Sequence, residues 1–327
     1  MTISDERLQR IDDVIAPLRV QPGEKVHLPH DFDPAYKTAG LKKKRGVKLL
    51  EEGIGLLAEY QDRLAAQDTY GVLVVLQALD AAGKDGTIRH VMSGVNPQGV
   101  AVHGFKVPSD DELSHDYLWR YTKRLPKRGQ ICIFNRSYYE EVLVVRVHPE
   151  LLGRQKLPDA ATAGDVWRQR YREINHLERH LTDNGFRIVK LFLNISQEEQ
   201  RRRFLRRIDL EEKNWKFSSH DVAERRHWDD YQAAFAEMLT HTSTEAAPWY
   251  VIPADRKWFE RIAAAAVLVK TLAEIDPRYP VVSERAHHDL VEAKVELERQ
   301  APDGVPADPF QASLDAERAA AQALAPH

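Results

Sequence analysis

The sequence has a single cysteine among its 327 residues, Cys132, which excludes an intramolecular disulfide and a zinc site built on several thiolates. Cys132 stands in the apolar string ICIF, a pattern that predicts a buried strand residue. No stretch reaches the roughly 20 apolar residues that a membrane span requires. The opening residues, MTISDERLQRIDDVIAPLRV, carry acids and lack the continuous apolar core of a secretory leader. The sequence therefore predicts a cytoplasmic protein that has no membrane partner.

An excess of charge of one sign is also lacking, because 47 basic residues stand against 50 acidic ones and the formal net charge is -3. The basic residues are not spread evenly. Three clusters stand out: KKKR at 42–45, TKRLPKRG at 122–129 and RRRFLRRI at 201–208. Because the distribution of charge matters more than its sum, local positive patches are compatible with the binding of an anionic small molecule, despite the negative net charge.

Five apolar segments alternate with helical patterns along the chain. The first, GVLVVLQAL, begins at Gly71 and is almost wholly apolar, as expected of a parallel strand that is covered on both faces. The later ones lie near 99–107, at 129–135, at 186–195 and at 248–254. Strands that alternate with helices predict a parallel sheet with helices on both faces.

Composition divides the chain into three parts. Residues 1–45 are polar and contain the Pro-rich stretch HLPHDFDPAYKT, which predicts an N-terminal arm on the surface. Residues 46–282 carry the strand and helix pattern and form the predicted main domain. Residues 283–327 are predicted to be a C-terminal helix followed by a flexible tail, because the sequence after 301 is rich in Ala, Pro and Asp.

The stretch LQALDAAGKDGT, residues 76–87, follows the first strand and precedes an apparent helix. A phosphate cradle needs inward N–H groups, small residues and a lysine at a helix N-terminus, and this stretch supplies them. It departs from GxxxxGK[ST] because Ala78 replaces the first Gly and Asp85 follows Lys84. An ordinary strand-to-helix turn with an incidental lysine is the alternative. The predicted phosphate- and nucleotide-binding residues are Ala81, Ala82, Gly83, Lys84, Asp85, Gly86 and Thr87.

Acidic and amide side chains beside this loop are candidates for metal binding. Asp80 is one, since a carboxylate next to phosphate is costly unless it binds Mg²⁺ or contacts the phosphate acceptor. Asn135 ends the third strand, where an acid is usual, so either no charge is needed there or Glu140 supplies it. Arg136 follows Asn135 at the end of the same strand. Its side chain is predicted either to face the phosphates or to form a surface salt bridge.

The basic cluster at 201–208 follows the fourth strand, where P-loop kinases carry a mobile lid. Arg203 and Arg207 stand four residues apart and therefore share one face of a helix. Guanidinium groups match the oxygen atoms of phosphate in geometry and charge. The cluster thus predicts a phosphate-binding lid helix, and a solvated basic helix is the alternative.

These motifs together resemble the polyphosphate kinase 2 family over roughly residues 40–280. The resemblance rests on DAAGKDGTIRHVMSGVNPQG, FNRSYYEEVLVVRVHPE, EEQRRRFLRRI, KNWKFS and APWYVIPADRKW. Asn135 combined with Glu140 is similar to the class III pattern of that family, whose other classes carry aspartate at the Asn135 position. The implied fold class is α/β: a P-loop kinase-like three-layer α/β/α fold with about five parallel strands and a helical lid near 200–245.

The resemblance implies phosphoryl transfer between inorganic polyphosphate and AMP or ADP, forming ADP or ATP with Mg²⁺, or with Mn²⁺ in its place. Asp80 and Glu140 are then the metal candidates, and Lys84 with the loop amides holds the phosphoryl group. Arg136, Arg203 and Arg207 neutralise its charge. The resemblance also suggests a homodimer or homotetramer, with no nucleic-acid partner. Lys123, Arg124, Lys127 and Arg128 are candidates for lining a polyphosphate channel, with a solvated basic loop as the alternative.

Two other functions stay open at this point. A nucleoside or nucleoside monophosphate kinase that uses ATP as donor shares the loop, the lid and a similar sheet. A non-catalytic module that binds polyphosphate or nucleotide is the further alternative. The second is disfavoured because a binding module has no need of acids such as Asp80 and Glu140 among its phosphates.

Overall fold

The computed structural model describes residues 3–162, 164–215, 217–311 and 313–316, which fall into two compact units, one ending at Tyr279 and one beginning at Pro280. The first unit contains an all-parallel sheet of five strands in the order β2-β3-β1-β4-β5. The strands are β1 (Gly71–Ala78), β2 (Val100–Gly104), β3 (Ile131–Asn135), β4 (Phe186–Asn194) and β5 (Trp249–Pro253). The α/β fold and the number of strands predicted from the sequence are confirmed.

Helices connect and cover the strands. Within the described ranges the α-helices are α1 (Asp5–Ile15), α2 (Lys43–Gln67), α3 (Lys84–Val91), α4 (Asp110–Ser114), α5 (Trp119–Thr122), α6 (Val144–Val147), α7 (Asp159–Thr162), α8 (Val166–Asp183), α9 (Gln197–Asp209), α10 (Glu211–Asn214), α11 (Ser219–Glu224), α12 (Trp228–Thr242), α13 (Lys257–Ile275) and α14 (Glu284–Arg299). Among these helices, none combines the length and the apolar character that crossing a bilayer demands.

The central strand β1 explains why the first apolar segment has no polar face. Side chains alternate along a strand, and those at 72, 74 and 76 join a cluster with α2 and α13. Those at 73 and 75 join a second cluster with aromatic residues such as Tyr139, Phe235 and Trp249. Because helices cover both faces of the sheet, both sets of β1 side chains are apolar.

The strand order places a crevice at the carboxyl ends of β1 and β3. The chain leaves β1 towards β2 on one side of the sheet, and it leaves β3 towards β4 on the other. Neighbouring strands whose connections diverge leave a gap at this edge, which is where ligands bind in open α/β sheets. The loop at 76–87 and Asn135 both lie at this point.

The N-terminal segment does not form the separate surface arm that its polar composition predicts. Helix α1 packs on α13, where Asp12 Oδ2 lies 2.9 Å from Lys270 Nζ. Ile15 is buried in the core, and Arg19 forms an antiparallel bridge to Tyr250 of β5. The few apolar residues of this segment are spaced so that they lie on one face of a short helix. The charged residues between them make the overall composition polar, so composition alone does not predict that this face is buried.

The second unit contains α14, none of whose side chains is buried. Lys294 Nζ lies 2.6 Å from Asp308 Oδ2, which ties the helix to the chain that follows it. Of the flexible tail predicted after residue 301, residues 302–311 and 313–316 are described, whereas 312 and 317–327 lie outside the described residues.

A buried ion pair joins the sheet to α8. Lys190 Nζ in β4 lies 2.7 Å from Glu178 Oε2, and neither side chain is more than 1% exposed. The ammonium also donates a hydrogen bond to the Tyr139 hydroxyl at 3.0 Å. Burial lowers the pKa of Lys190, and the neighbouring Glu178 carboxylate opposes that shift.

Replacing Lys190 with methionine is expected to lower the free energy of unfolding by about 3–5 kcal/mol, because it leaves the Glu178 carboxylate buried without its counter-ion. Urea denaturation measures the loss. The double variant Lys190→Met/Glu178→Gln is the matched control, and it should recover much of the stability because no unpaired charge remains. A loss below about 1 kcal/mol for the single variant would contradict this account of the pair.

Candidate active site

The loop after β1 is shaped to expose backbone N–H groups. Ala81 has a φ of 63° and Gly83 a φ of 121°, and α3 begins at Lys84 without a side-chain cap. The N–H groups of an uncapped first helical turn are available to an anion. The backbone conformation at Gly83 favours glycine, and a Cβ there would lie 2.9 Å from Glu260 Oε1, so the carboxyl group would have to shift.

A cavity of about 900 Å³ opens beside this loop. The structure brings to it six of the seven predicted loop residues together with Asp80, Asn135, Arg136, Arg203 and Arg207. Ala82 is the exception, because it is fully buried and its amide donates to Leu79 O at 3.3 Å. The basic residues that line the cavity are Lys84, Arg89, Lys106, Arg136, Arg203, Arg206, Arg207, Lys213, Lys257 and Arg261. Within the described part of the chain four acids line it, so the cavity suits a polyanion.

Lys84 provides the positive charge inside the loop. Its Nζ donates to the carbonyl oxygen of Ala78 at 2.9 Å. Burial, followed by the repulsion of Arg136, lowers the pKa of Lys84 to about 8. The ammonium is therefore mostly charged at neutral pH, and a bound phosphate would favour that charged form further.

Arg136 is held between two acids at the end of β3. Its Nη2 lies 2.7 Å from Asp80 Oδ1 and its Nη1 lies 3.1 Å from Glu140 Oε2. The charge of Glu140 raises the pKa of Arg136, with Asp80 contributing in the same direction. The backbone of Arg136 has a φ of 67°, and its N–H donates to Leu76 O at 3.1 Å. The ion pairs thus fix the guanidinium beside the cavity.

Glu140 lies behind Arg136 and does not line the large cavity. Its Oε2 accepts from Arg136 and its Oε1 accepts from Gln77 Nε2 at 2.9 Å, so both carboxyl oxygens already have partners. It borders a smaller cavity of about 40 Å³ together with Asp80 and Arg136. In this arrangement Glu140 supports Arg136, whereas the prediction made it a metal ligand.

Asp80 and Asn135 offer the oxygen atoms that a hard cation prefers. Asp80 Oδ2 has no hydrogen-bond partner among the described residues, and Oδ1 is shared with Arg136. Asn135 donates through Nδ2 to Asp85 Oδ1 at 2.9 Å, which turns its own amide oxygen away from that bond. Carboxylate and amide oxygens fit Mg²⁺, which usually takes one or two carboxylates and completes its shell with phosphate and water.

The two lid arginines have different partners. Arg203 Nη1 donates to Ala81 O at 3.1 Å, and its Nη2 donates to the carbonyl of Ala254 just beyond β5. Arg207 Nη1 lies 3.3 Å from Asp221 Oδ2. Burial and the nearby Asp80 charge raise the pKa of Asp221. Arg203 thus braces the phosphate loop, whereas Arg207 ties α9 to α11.

The basic segment at 123–128 lies at the other edge of the sheet. Arg128 donates to the carbonyl oxygens of Thr69 and Asn184, which precede β1 and β4. Lys123 Nζ lies 3.9 Å from the centre of the Trp119 ring. The phosphate loop follows the carboxyl end of β1, so the structure does not bring Lys123, Arg124, Lys127 or Arg128 to the cavity.

Other cavity residues were missed by the sequence reasoning. Arg89 lies on α3, Arg206 on α9, and Lys257 and Arg261 stand four apart on α13. The segment DRKWFER comes just after β5. Residues that follow a parallel strand lie at the same edge of the sheet as the phosphate loop, so this position predicts that the basic residues of the segment reach the cavity. Trp215, which is 74% exposed, also lines the cavity.

A parallel sheet with a lysine-bearing phosphate loop after its central strand, covered by an arginine-rich helix, defines a P-loop kinase-like α/β protein. Residues 40–280 match the family described as Polyphosphate kinase 2 (PPK2), and the chain belongs to this family. The resemblance noted from the sequence motifs is therefore confirmed.

Named relatives cover most of the chain. It is 48% identical over 283 residues to the ADP-polyphosphate phosphotransferase of Rhodopseudomonas palustris, covering 85% of this chain and 96% of that protein. It is 46% identical over 263 residues to the AMP/ADP-polyphosphate phosphotransferase of Meiothermus ruber, covering 80% and 94%. The crystal structure of polyphosphate kinase 2 from Arthrobacter aurescens TC1 matches with a TM-score of 0.75 and 40% identity, covering 84% of this chain and 95% of that one.

Proposed function

We propose that this protein is a polyphosphate-dependent nucleotide kinase that transfers a phosphoryl group between inorganic polyphosphate and AMP or ADP. The observation that carries the proposal is the 900 Å³ cavity, where ten basic residues surround the uncapped N-terminus of α3. A phosphate chain and a nucleotide together present many negative charges, and a cavity of this charge and size accommodates both. Membership in the polyphosphate kinase 2 family supports the same function.

The side chains support transfer by positioning and by neutralisation of charge. Lys84 and the N–H groups of the first turn of α3 hold the phosphoryl group that moves between donor and acceptor. Arg136 neutralises charge that develops on that group, and its two acidic partners keep the guanidinium in place beforehand. A preorganised charge does not have to reorient during the reaction, which is why such groups lower the barrier.

Mg²⁺ is the cofactor that we propose, with Mn²⁺ as a substitute. Asp80 would hold the ion, and the amide oxygen of Asn135 is the second protein ligand that the donor set supports. When bound, the ion supplies positive charge to phosphate oxygens. Glu140 acts on this site through Arg136.

We propose that both AMP and ADP are acceptors. The relative from Meiothermus ruber is named for both nucleotides, and the one from Rhodopseudomonas palustris for ADP. Asn135 supports the wider range of acceptors, because the combination of Asn135 with Glu140 resembles the class III pattern.

We also propose that the enzyme acts in the cytoplasm as a homodimer or homotetramer. Sedimentation of the purified protein measures the oligomeric state.

The donor is tested by offering polyphosphate or ATP separately. Purified protein is mixed with Mg²⁺ and ADP plus long-chain polyphosphate, and the ATP formed is measured. A second reaction offers ATP as donor to nucleosides and to nucleoside monophosphates. ATP synthesis from polyphosphate in the first reaction supports the proposal. Activity in the second reaction alone identifies an ATP-dependent kinase, and binding of polyphosphate without either activity identifies a non-catalytic module.

A further inference from the structure

Glu260 is a buried carboxyl group at the border of the cavity, next to the phosphate loop, that the proposed transfer does not use. It lies in the first turn of α13 and is 2% exposed. Its Oε1 accepts a hydrogen bond from the Thr87 hydroxyl on α3. The same oxygen is 2.9 Å from the place where a Cβ on Gly83 would be. Glu260 therefore contacts Thr87 directly and lies close to the backbone of Gly83.

The second oxygen of this carboxyl group is unsatisfied. Glu260 Oε2 is buried and has no hydrogen-bond partner among the described residues. A buried carboxylate with an unpaired oxygen is costly, whereas the neutral acid loses much less by burial. Accordingly, burial raises the pKa of Glu260 to about 7, although the Thr87 hydrogen bond opposes that shift.

Positive groups face Glu260 without pairing with it. Arg203 reaches it from α9, and Lys257 and Arg261 lie on α13 itself; all three favour the carboxylate by their charge. No ion pair within 4.0 Å joins Glu260 to a basic group in the described part of the chain. The carboxylate and the neutral acid are therefore balanced near neutral pH, and the balance is set by groups at the phosphate site.

The two protonation states give the loop different hydrogen bonds. The Thr87 hydroxyl has one hydrogen and two acceptors within reach, Glu260 Oε1 and, at 3.4 Å, Gly83 O. When Glu260 is ionised, that hydrogen goes to the carboxylate. When Glu260 is neutral, its own hydroxyl can donate to Thr87, and Thr87 can donate to Gly83 O in the loop.

We propose that Glu260 is a positioning residue whose neutral acid supports anion binding at the phosphate loop and whose carboxylate weakens it. Glu260 borders the cavity but is only 2% exposed, and its Oε1 is occupied by the Thr87 hydroxyl, so it acts on the bound anion through Thr87 and Gly83 and through its charge. The carboxylate adds a negative charge next to the site of the phosphates and draws the Thr87 hydrogen away from the loop. This inference rests on the proposed function only in taking the bound anion to be a phosphate chain.

The test compares the wild type with Glu260→Gln, whose amide has the same shape and is neutral at every pH. Isothermal titration calorimetry measures the Kd for inorganic tripolyphosphate from pH 5.5 to 8.5. The wild-type Kd divided by the variant Kd should be near one at pH 5.5 and should rise about tenfold by pH 8.5, as a buried like charge comes to face the anion. Ionisation of Lys84 and of the ligand affects both proteins alike, so the ratio isolates Glu260.

A ratio that stays constant with pH would overturn the proposal, since a merely structural role changes affinity equally at every pH.

Thr87→Val is the second variant. The hydrogen bond from Thr87 lowers the pKa of Glu260, so its loss in this variant should raise that pKa. The pH at which tripolyphosphate binding weakens should therefore be higher in Thr87→Val than in the wild type. An unmoved transition contradicts the proposal even where Glu260→Gln fails to fold. Binding is measured without turnover, so a protein with this pH dependence and no kinase activity refutes only the proposed function.

Discussion

Replacing Lys84 with methionine is expected to lower kcat for phosphoryl transfer from polyphosphate to ADP by about 10³-fold. Lys84 is the first residue of α3, and its ammonium donates a hydrogen bond to the carbonyl of Ala78 at the end of β1. Methionine keeps most of the side-chain volume, so the loop retains its packing while the charge is lost. The rate of ATP formation at saturating polyphosphate and ADP measures the change.

Lys48→Met is the matched control, because Lys48 is an exposed lysine on α2 that does not line the cavity. Its kcat should equal that of the wild type within about twofold, as surface substitutions away from a site usually have small effects. Thermal unfolding of both variants shows whether the fold is intact. If folded Lys84→Met kept at least a tenth of the wild-type kcat, the role assigned to the loop lysine would be wrong.

Replacing Asp80 with asparagine is expected to lower kcat by about 10²-fold and to raise the Mg²⁺ concentration that gives half-maximal rate. One oxygen of the Asp80 carboxylate has no hydrogen-bond partner within the described ranges, and the other holds Arg136. Asparagine keeps the shape and removes the charge, so both the metal and the arginine are bound less firmly. A Mg²⁺ titration of the initial rate separates the two effects, because excess Mg²⁺ restores only the metal-dependent part.

Glu212→Gln tests whether any acid at the cavity has the same effect. Glu212 lines the same cavity but is exposed and has no contact with Arg136 among the described residues. Its Mg²⁺ titration should match that of the wild type. A shift for Glu212→Gln as large as that for Asp80→Asn would show that the acids act only through general charge, which contradicts the ligand role of Asp80.

The central strand and its loop are predictable because their signals are local. The apolar run of β1 requires cover on both faces, and the small residues before Lys84 are those that an inward-turned backbone needs. Asn135 and Arg136 were predicted for a similar reason: they end β3, and parallel strands bring their carboxyl ends to one edge. These features depend on a few adjacent residues and on a general rule of sheet geometry.

The predicted channel residues at 123–128 do not reach the cavity, because the basic character of a segment does not show at which edge of the sheet the segment lies. The segment at 123–128 is as basic as the lid helix, but it precedes β3, and its Arg128 is used to cap the starts of β1 and β4. Lys257 and Arg261 have the same charge and follow β5, which puts them at the cavity. The position of a basic residue before or after its strand, more than the density of charge, decides which edge it reaches.

Glu260 and the N-terminal segment were missed for a different reason. Glu260 stands in KWFERIAAAA, where the helical pattern predicts a core helix with its charges outside, and only tertiary packing against α3 buries the carboxyl group. Ile15 likewise lies in a polar segment whose burial depends on α13. Contacts between elements distant in sequence determine both outcomes, and a single sequence does not encode them in any local pattern.

The most direct test of the account is a time course with purified protein, long-chain polyphosphate, Mg²⁺ and AMP, in which ADP and ATP are separated and measured. The account predicts that ADP forms first and that ATP follows, with neither product when polyphosphate is left out. ATP formed from ADP but no product from AMP would keep polyphosphate as the donor and contradict the proposed range of acceptors. No phosphorylation of either nucleotide would contradict the central claim that this cavity transfers phosphoryl groups from polyphosphate.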